Sequence, residues 1–221
     1  MAGVFPWSYS SLQAFETCPR RFYLTRIAKA VKEPQTEATL WGNEVHKALE
    51  LAVQGQALAP RFSSYAPLVE KLRAAPGRKF TEQKFGLTES YRPTEFFGKD
   101  VWFRGVIDLT IVTEKTATVI DYKTGKPKDD GDQLKLFAAA AFAQYPHVQS
   151  VKTSYAWLAH DKTTRRDFTK DEVPVIWQEF LPRLQRMKLA EERDQWLPNP
   201  SGLCKAYCPV GKKNCDFCGK D

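Results

Sequence analysis

The sequence predicts an α/β chain in which helices alternate with strands, ending in a small cysteine-rich metal-binding tail. Three observations carry that expectation. Apolar residues at helical spacing alternate along the 221 residues with short β-branched and aromatic runs. A hydrophobic share of 43% is enough for one full core, so residues 1–221 read as one domain with a small appendage. Four of the five cysteines, Cys204, Cys208, Cys215 and Cys218, crowd into the final stretch, far from Cys18.

The elements follow in order. Ser8 to Ile27 reads as a helix capped by Ser10 or Ser11, with Leu12, Phe15, Phe22 and Tyr23 on its apolar side and Pro19 as a break or kink. Trp41, Val45, Ala48, Leu49, Ala52 and Val53 keep a 3.6-residue spacing and define a second helix ending near Gly55. The Pro- and Gly-punctuated stretch 55–78 connects through a short helix to a strand over 79–88. Residues 101–112 and 117–123 form strands joined by a turn at Thr113–Thr116. A loop from Gly125 to Gly131 leads into a helix carrying Leu134, Phe137 and Ala140. Ser150 to Leu158 and Arg165 to Thr169 are paired strands, and a long helix from about Asp171 to Gln195, interrupted by Pro182, precedes the tail.

Composition excludes several classes. The longest apolar run, Leu136 to Ala143, is far short of the ~18 residues of a membrane span, and the first ten residues lack the basic and apolar regions of a signal peptide. The expectation is a cytoplasmic protein. There is no Gly-x4-Gly-Lys-Ser/Thr loop, so no nucleotide is expected as cofactor. Lys and Arg number 33 against 26 Asp and Glu, a net charge of +7, which makes a polyanion such as nucleic acid the default partner. An odd cysteine count without an export signal favours metal-bound thiolates over disulfides.

The hairpin locates the chemistry. If its four-residue turn pairs Val112 with Ala117, Asp108 falls opposite Asp121, where like charges repel unless a cation intervenes. Period-2 alternation puts Lys123 on the face of Asp121 and turns Ile120 and Tyr122 away. Two carboxylates and a lysine then share one patch. Asp is a poor strand residue, so two at strand centres point to a hard-cation site, with Asp108 and Asp121 binding Mg2+ or Mn2+. Lys123 then stabilises phosphate charge and helps position or deprotonate the attacking water. The plainer reading is a surface hairpin whose lysine neutralises two aspartates. His46, with Leu49 and Val53 on the packed face of its helix, is either a core histidine or a further ligand, one that shifts preference toward Mn2+. Glu82, alternating with Phe80, is a further candidate for the same face.

In order and spacing, Gly42-Asn-Glu-Val-His46, Gly105-Val-Ile-Asp108, Asp121-Tyr-Lys123-Thr-Gly125 and Gln133-Leu134 resemble the motifs of the PD-(D/E)XK nuclease superfamily, specifically its RecB-like branch. The segment from Ser8 to Phe22, with Cys18-Pro19, is similar to that branch too, which includes CRISPR-associated adaptation nucleases and phage recombination exonucleases. The resemblance implies a restriction-endonuclease-like core with a mixed central sheet flanked by helices. It implies a metal held by His46, Asp108, Asp121 and the Tyr122 backbone carbonyl, a catalytic Lys123, an auxiliary Glu82, and Gln133 near the lysine or the DNA. The family's Gln-x3-Tyr reads Gln133-x3-Phe137 here, which removes a hydroxyl.

The same resemblance implies a 4Fe-4S cluster on one N-terminal and three C-terminal cysteines, stapling 1–30 to 197–221. The candidate ligands are Cys18, Cys204, Cys208 and Cys215, with Cys218 able to substitute, because the spacing here is longer than the usual pattern. The rival is a structural zinc on the four tail cysteines. Arg20 and Arg21 on the first helix and Lys126 and Lys128 in the loop are candidate DNA contacts, with Trp7, Tyr9 and Tyr207 as candidate base-stacking rings. The expected activity is a Mg2+- or Mn2+-dependent deoxyribonuclease, an exonuclease on DNA ends or single strands, serving phage recombination or CRISPR adaptation. The alternative is a catalytically silent subunit that binds DNA ends. A single-strand annealing protein or a CRISPR integrase would suit either as a partner.

Overall fold

The structure, a computed structural model, describes residues 6–128 and 131–219. Asp129 and Asp130 of the expected Gly125–Gly131 loop lie outside the described residues, as do residues 1–5 and 220–221. The chain divides into two compact units, one of Thr36–Trp177 and one of Met1–Gln35 with Gln178–Asp221.

The larger unit is built on a six-stranded sheet. Its strands are β1 (Arg78–Leu87), β2 (Pro93–Thr94), β3 (Phe103–Val112), β4 (Thr116–Lys123), β5 (Ser150–Trp157) and β6 (Lys162–Thr169). Their order across the sheet is β2-β1-β3-β4-β5-β6, every pair antiparallel except β4 with β5. The sheet is therefore mixed. A parallel pair needs a crossover, which the helix Asp132–Gln144 supplies. That helix carries four consecutive buried alanines, Ala138 to Ala141, whose small side chains let it lie close to the strands.

The opposite face of the sheet takes the helix Glu37–Val53, capped by the Thr36 hydroxyl, and the shorter helix Ala66–Ala74 behind a 3-10 turn at Pro60–Tyr65. Val45, Leu49, Val69 and Leu72 from these helices pack on Leu109, Ile111, Ile120 and Tyr122. Helices thus flank a mixed sheet, as the resemblance to the nuclease superfamily implies. The β3–β4 register is the one its turn implies, Val112 with Ala117 through Leu109 with Ile120.

In chain order the helices are α1 (Tyr9–Thr17), α2 (Pro19–Phe22), α3 (Glu37–Val53), α4 (Ala66–Ala74), α5 (Asp132–Gln144), α6 (Val173–Glu192) and α7 (Cys204–Tyr207). The expected first helix is two helices. Cys18, held extended at φ −165° by the proline after it, ends α1 and caps α2, which continues as a π-helical turn over Tyr23–Ile27. Its N-cap is Ser8, not Ser10 or Ser11; Ser8 and Ser11 cap one another reciprocally. In this smaller unit Trp196 packs among Phe15, Phe22 and Tyr23, Trp7 stacks on Phe180, and Arg183 makes a bidentate pair with Glu16 at 2.6 and 2.7 Å. Among the described residues, no helix is long and apolar enough to cross a membrane.

Candidate active site

The β3–β4 ladder stops one step before the two aspartates. After Leu109 pairs with Ile120, the backbone N–H of Tyr122 donates to Asp108 Oδ2 at 2.6 Å. A side-chain carboxylate thus takes the place of a backbone acceptor, and Asp108 reaches into the gap between the strands. Its other oxygen, Oδ1, lies 3.1 Å from Nδ1 of His46 on α3.

On its other side, β3 meets β1 with Thr81 opposite Leu109 and Gln83 opposite Ile107. Leu109 faces α3, and so does Thr81, whose hydroxyl accepts from Gln54 just past the end of that helix. Gln83 instead donates to the Tyr145 hydroxyl at the end of α5, on the opposite face. Regular alternation would put 81 and 83, or 107 and 109, on one side. Both strands therefore slip by one position at Glu82 and Asp108. Glu82 accomplishes the slip with a left-handed backbone, φ +47°. As a result one ligand atom from each of His46, Glu82 and Asp108 lies within 4.8 Å of the others.

Asp121 and Lys123 keep regular alternation and face α5, away from Ile120 and Tyr122. Lys123 Nζ forms a 2.6 Å ion pair with Asp121 Oδ2 and donates to Gln133 Oε1 at 2.8 Å, while Gln133 Nε2 donates to Asp121 Oδ1 at 3.1 Å. The ammonium also lies 5.0 Å from the Tyr155 ring centroid. The expected patch is thus two adjoining groups, His46–Glu82–Asp108 and Asp121–Lys123–Gln133. Asp108 and Asp121 do not share a face as strict alternation would require, because of the slip at Asp108.

Three carboxylates here meet one lysine and one histidine, and both aspartates are buried. Burial, then the Asp108 charge, raises Asp121 from 3.8 to about 6 despite Lys123. Burial and Asp108 also raise Glu82. Burial lowers His46, but its hydrogen bond to Asp108 and the charges of Asp108, Asp121 and Glu82 outweigh that and hold it above its ordinary value. Buried negative charge presented on carboxylate oxygens and one imidazole suits a hard divalent cation, and the imidazole favours Mn2+. The group opens on a cleft of about 460 Å³ lined by Thr39, Gly42, Asn43, His46, Glu82 and Thr124. At Gly42 a Cβ would come within 3.3 Å of Thr124 Oγ1, so glycine lets α3 approach the end of β4. The sequence reading overlooked Thr124 and Asn43; their adjacency to Lys123 and Gly42 within the motifs was the available signal.

A model of the PD-(D/E)XK nuclease superfamily matches residues 6–215. The chain belongs to the PD-(D/E)XK nuclease superfamily. No curated protein matches. Among solved structures, the Eubacterium rectale protein called "Putative exonuclease" aligns with TM-score 0.56 and 12% identity over 90% of this chain and 85% of that one. The structure of SSO0001 aligns with TM-score 0.45 and 16% identity over 95% of this chain and 85% of that one. The first likeness shows a shared fold, the α/β restriction-endonuclease-like one. PD-(D/E)XK nucleases are phosphodiester hydrolases that use divalent metals, and the His46–Glu82–Asp108 group is a possible metal site of that kind in this chain.

In the smaller unit all five cysteines carry free thiols, and all five line one small cavity together with Arg20 and Arg21. The backbone N–H groups of Asn199 and Ser201 donate to Cys18 and Cys204 Sγ at 3.5 and 3.3 Å. Cys218 is buried, and burial with hydrogen bonds to Cys208 and Cys215 pushes its thiol up to about 12. Among the described residues no three cysteine sulfurs lie within 4.8 Å of one another. The candidate DNA contacts divide. Lys126 and Lys128 are exposed. Arg20 donates to the Asn214 carbonyl, and Arg21 pairs with Glu33 at 3.2 Å, so both are engaged within their own unit.

Proposed function

We propose that this PD-(D/E)XK chain is a Mg2+- or Mn2+-dependent deoxyribonuclease of the RecB-like kind, an exonuclease acting on DNA ends or single strands. The observation that carries the reading is the junction of a three-ligand group, His46–Glu82–Asp108, with a lysine held between Asp121 and Gln133. A purely DNA-binding protein gains nothing from gathering two buried carboxylates and a half-buried one, because the repulsion is destabilising without a cation.

His46, Glu82, Asp108 and Asp121, with the Tyr122 carbonyl, are the residues that would hold the cation. When bound, a divalent ion supplies Lewis-acid stabilisation of the phosphoryl oxygens and acidifies the attacking water. The chain does the rest. Tyr122 N–H fixes Asp108 by its Oδ2. Gln133 accepts from Lys123 and donates to Asp121, which sets the spacing of ammonium and carboxylate. Lys123, held beside Asp121 and Gln133, would stabilise charge on the phosphate and position the attacking water.

Five thiols around one cavity support a metal in the smaller unit, with the 4Fe-4S cluster as the reading put forward and a structural zinc as its rival. Cys18, Cys204, Cys208 and Cys215 are the proposed ligands, with Cys218 as the substitute.

The deciding experiment compares wild type with Lys123→Ala on end-labelled linear and covalently closed DNA, single- and double-stranded, with Mg2+, Mn2+ or EDTA. Cleavage of linear DNA alone, dependent on both metal and Lys123, is the expected result. Equal DNA binding by both proteins with no cleavage would overturn it in favour of a silent end-binding subunit in a recombination or integration complex.

A further inference from the structure

The 88–102 segment contributes nothing to the metal site, yet it presents an aromatic pair to solvent on the site's own face of the sheet. Gly105 marks the α5 face, since a Cβ there would meet Phe85 and come within 3.6 Å of Phe137. Lys84, Gly86 and Arg104 alternate with Phe85 and Gly105 and so point to the other face, that of α3 and His46. The loop after β2 crosses that face directly over Gly86, where a Cβ would lie 2.7 Å from the Glu95 carbonyl. This crossing seats Phe96 and Phe97 above the strands.

Phe96 and Phe97 meet edge to face at 4.8 Å, and Phe97 is 76% exposed. The Arg104 guanidinium lies 5.3 Å from the Phe96 centroid and 5.6 Å from that of Phe97, and Lys84 Nζ lies 5.8 Å from Phe96. Neither cation has a carboxylate partner among the described residues, and the Asp100 carboxylate of the same segment accepts from the Thr94 hydroxyl. Scattered exposed phenylalanines mean little. A pair of rings bracketed by two unpaired cations is a different object, offering a π-face for a base and charge for the phosphates beside it.

We infer that Phe96 and Phe97, with Arg104 and Lys84, form a platform on which the unpaired bases of a DNA strand stack while its end lies in the metal site. This rests on the nuclease reading above and narrows its substrate to a single-stranded or frayed end. Four residues along β3 separate Arg104 from Asp108, roughly 13 Å at about 3.3 Å per residue. One short run of unpaired nucleotides can therefore reach both. A duplex hides its base faces, so it can use the cations but not the rings.

The test measures fluorescence anisotropy in EDTA, where no cleavage intervenes. Its probes are a labelled oligothymidylate, the same oligomer with one abasic residue moved stepwise from the end, and a blunt duplex. Wild type should bind the intact single strand and lose about 10-fold when the abasic residue occupies one particular position near the end. Phe97→Ala should bind the intact strand about 10-fold more weakly and be indifferent to the abasic position, with duplex binding unchanged. Arg104→Gln should lower the salt dependence of binding by about one counterion. Phe97 is too exposed for its loss to unfold the chain, and an unchanged melting temperature checks this. Wild-type affinity in Phe97→Ala, an equal loss on duplex, or equal Phe97 dependence for a labelled oligoglutamate would each overturn the platform. Metal-dependent cleavage by wild type is scored separately, so the platform can fail while the nuclease stands.

Discussion

Glu82 faces Asp108 at the step where β1 and β3 both lose their alternation, and the left-handed backbone of Glu82 is what brings the two carboxylates to the face of His46. The ladder is regular on either side, Thr81 with Leu109 and Gln83 with Ile107. A non-glycine residue at φ +47° costs on the order of 1–2 kcal/mol, and placing a partly buried carboxylate beside another adds to that. Strain of this kind persists only where the surrounding structure enforces it, and here it coincides with the candidate metal ligands.

Glu82→Gly should therefore make the metal-free protein more stable and the metal-loaded protein less so. Glycine relieves the left-handed strain but pays about 0.5–1 kcal/mol in chain entropy, so the net gain is about 1 kcal/mol once charge repulsion is removed. For a chain of this size that is a rise of about 2–4 °C in Tm. Thermal melts in EDTA and in Mn2+ read it, the gain appearing in EDTA and the Mn2+-induced rise shrinking. Glu82→Gln, which keeps the strain and loses the charge, should gain less in EDTA. A lower Tm for Glu82→Gly in EDTA would show that the conformation is not strained.

The contrast between Glu82 and its neighbours explains what could be read in advance. The Val112–Ala117 pairing follows from a four-residue turn, and the extended Cys18 from the proline after it, because both are consequences of local backbone geometry. The pairing of Lys123 with Asp121 follows from ordinary alternation. Asp108 does not, because its face is decided by a slip in two strands at once, and nothing in the residue type of Glu82 announces a positive φ. The reciprocal capping of Ser8 and Ser11 was concealed by three serines competing within four residues. Phe96 and Phe97 lie between short elements with no periodicity, where only the interleaving of Arg92, Lys99 and Arg104 hinted at a surface role.

Metal-free protein should lose stability as pH rises through the weakly acidic range. Asp121 titrates at about 6 in the folded chain against 3.8 when unfolded, so between those values the folded state binds more protons and stability falls with increasing pH. The loss is on the order of 2–3 kcal/mol and is complete above pH 6. His46, raised above its ordinary value, works in the same direction: its contribution is present below 6.5 and is lost as pH passes the folded value. Urea denaturation in EDTA at pH 5 and pH 7.5 should show the lower midpoint at pH 7.5, and Mn2+ should recover it. A midpoint that rises with pH in EDTA would contradict the burial of an ionised Asp121.

Lys123→Ala separates chemistry from metal binding. Its ammonium competes with a cation for Asp121 Oδ2, at 2.6 Å. Removing it should lower cleavage by at least about 100-fold, the scale of losing one charge-stabilising donor. Mn2+ affinity by calorimetry should stay level or rise. Asp108→Asn should lower cleavage and Mn2+ affinity together. Gln133→Ala should cut cleavage about 10-fold with metal affinity kept, since it orients Lys123 and Asp121 without supplying a ligand. A fall of more than about 10-fold in Mn2+ affinity for Lys123→Ala would make the lysine a structural counterion instead.

The cysteine cavity makes different predictions for its five thiols. Cys18 lies between α1 and α2, far from the tail in sequence, whereas Cys208 and Cys215 both have the buried Cys218 beside them in hydrogen-bond contact. If a 4Fe-4S cluster binds there, protein purified without oxygen should contain iron and acid-labile sulfide in near-equal amounts. Cys18→Ser should abolish both, since Cys18 is the one ligand supplied from outside the tail. Cys215→Ser should retain a large part of them, because Cys218 can take the vacated position, and the double replacement of Cys215 and Cys218 should then behave as Cys18→Ser does. Ligation joins an N-terminal residue to the tail across a long loop, so Cys18→Ser should also lower the Tm of the loaded protein, by an amount that vanishes once iron has been removed from wild type. Stoichiometric zinc that survives Cys18→Ser would instead assign the tail to a four-cysteine zinc site, with Cys18 an ordinary thiol between two helices.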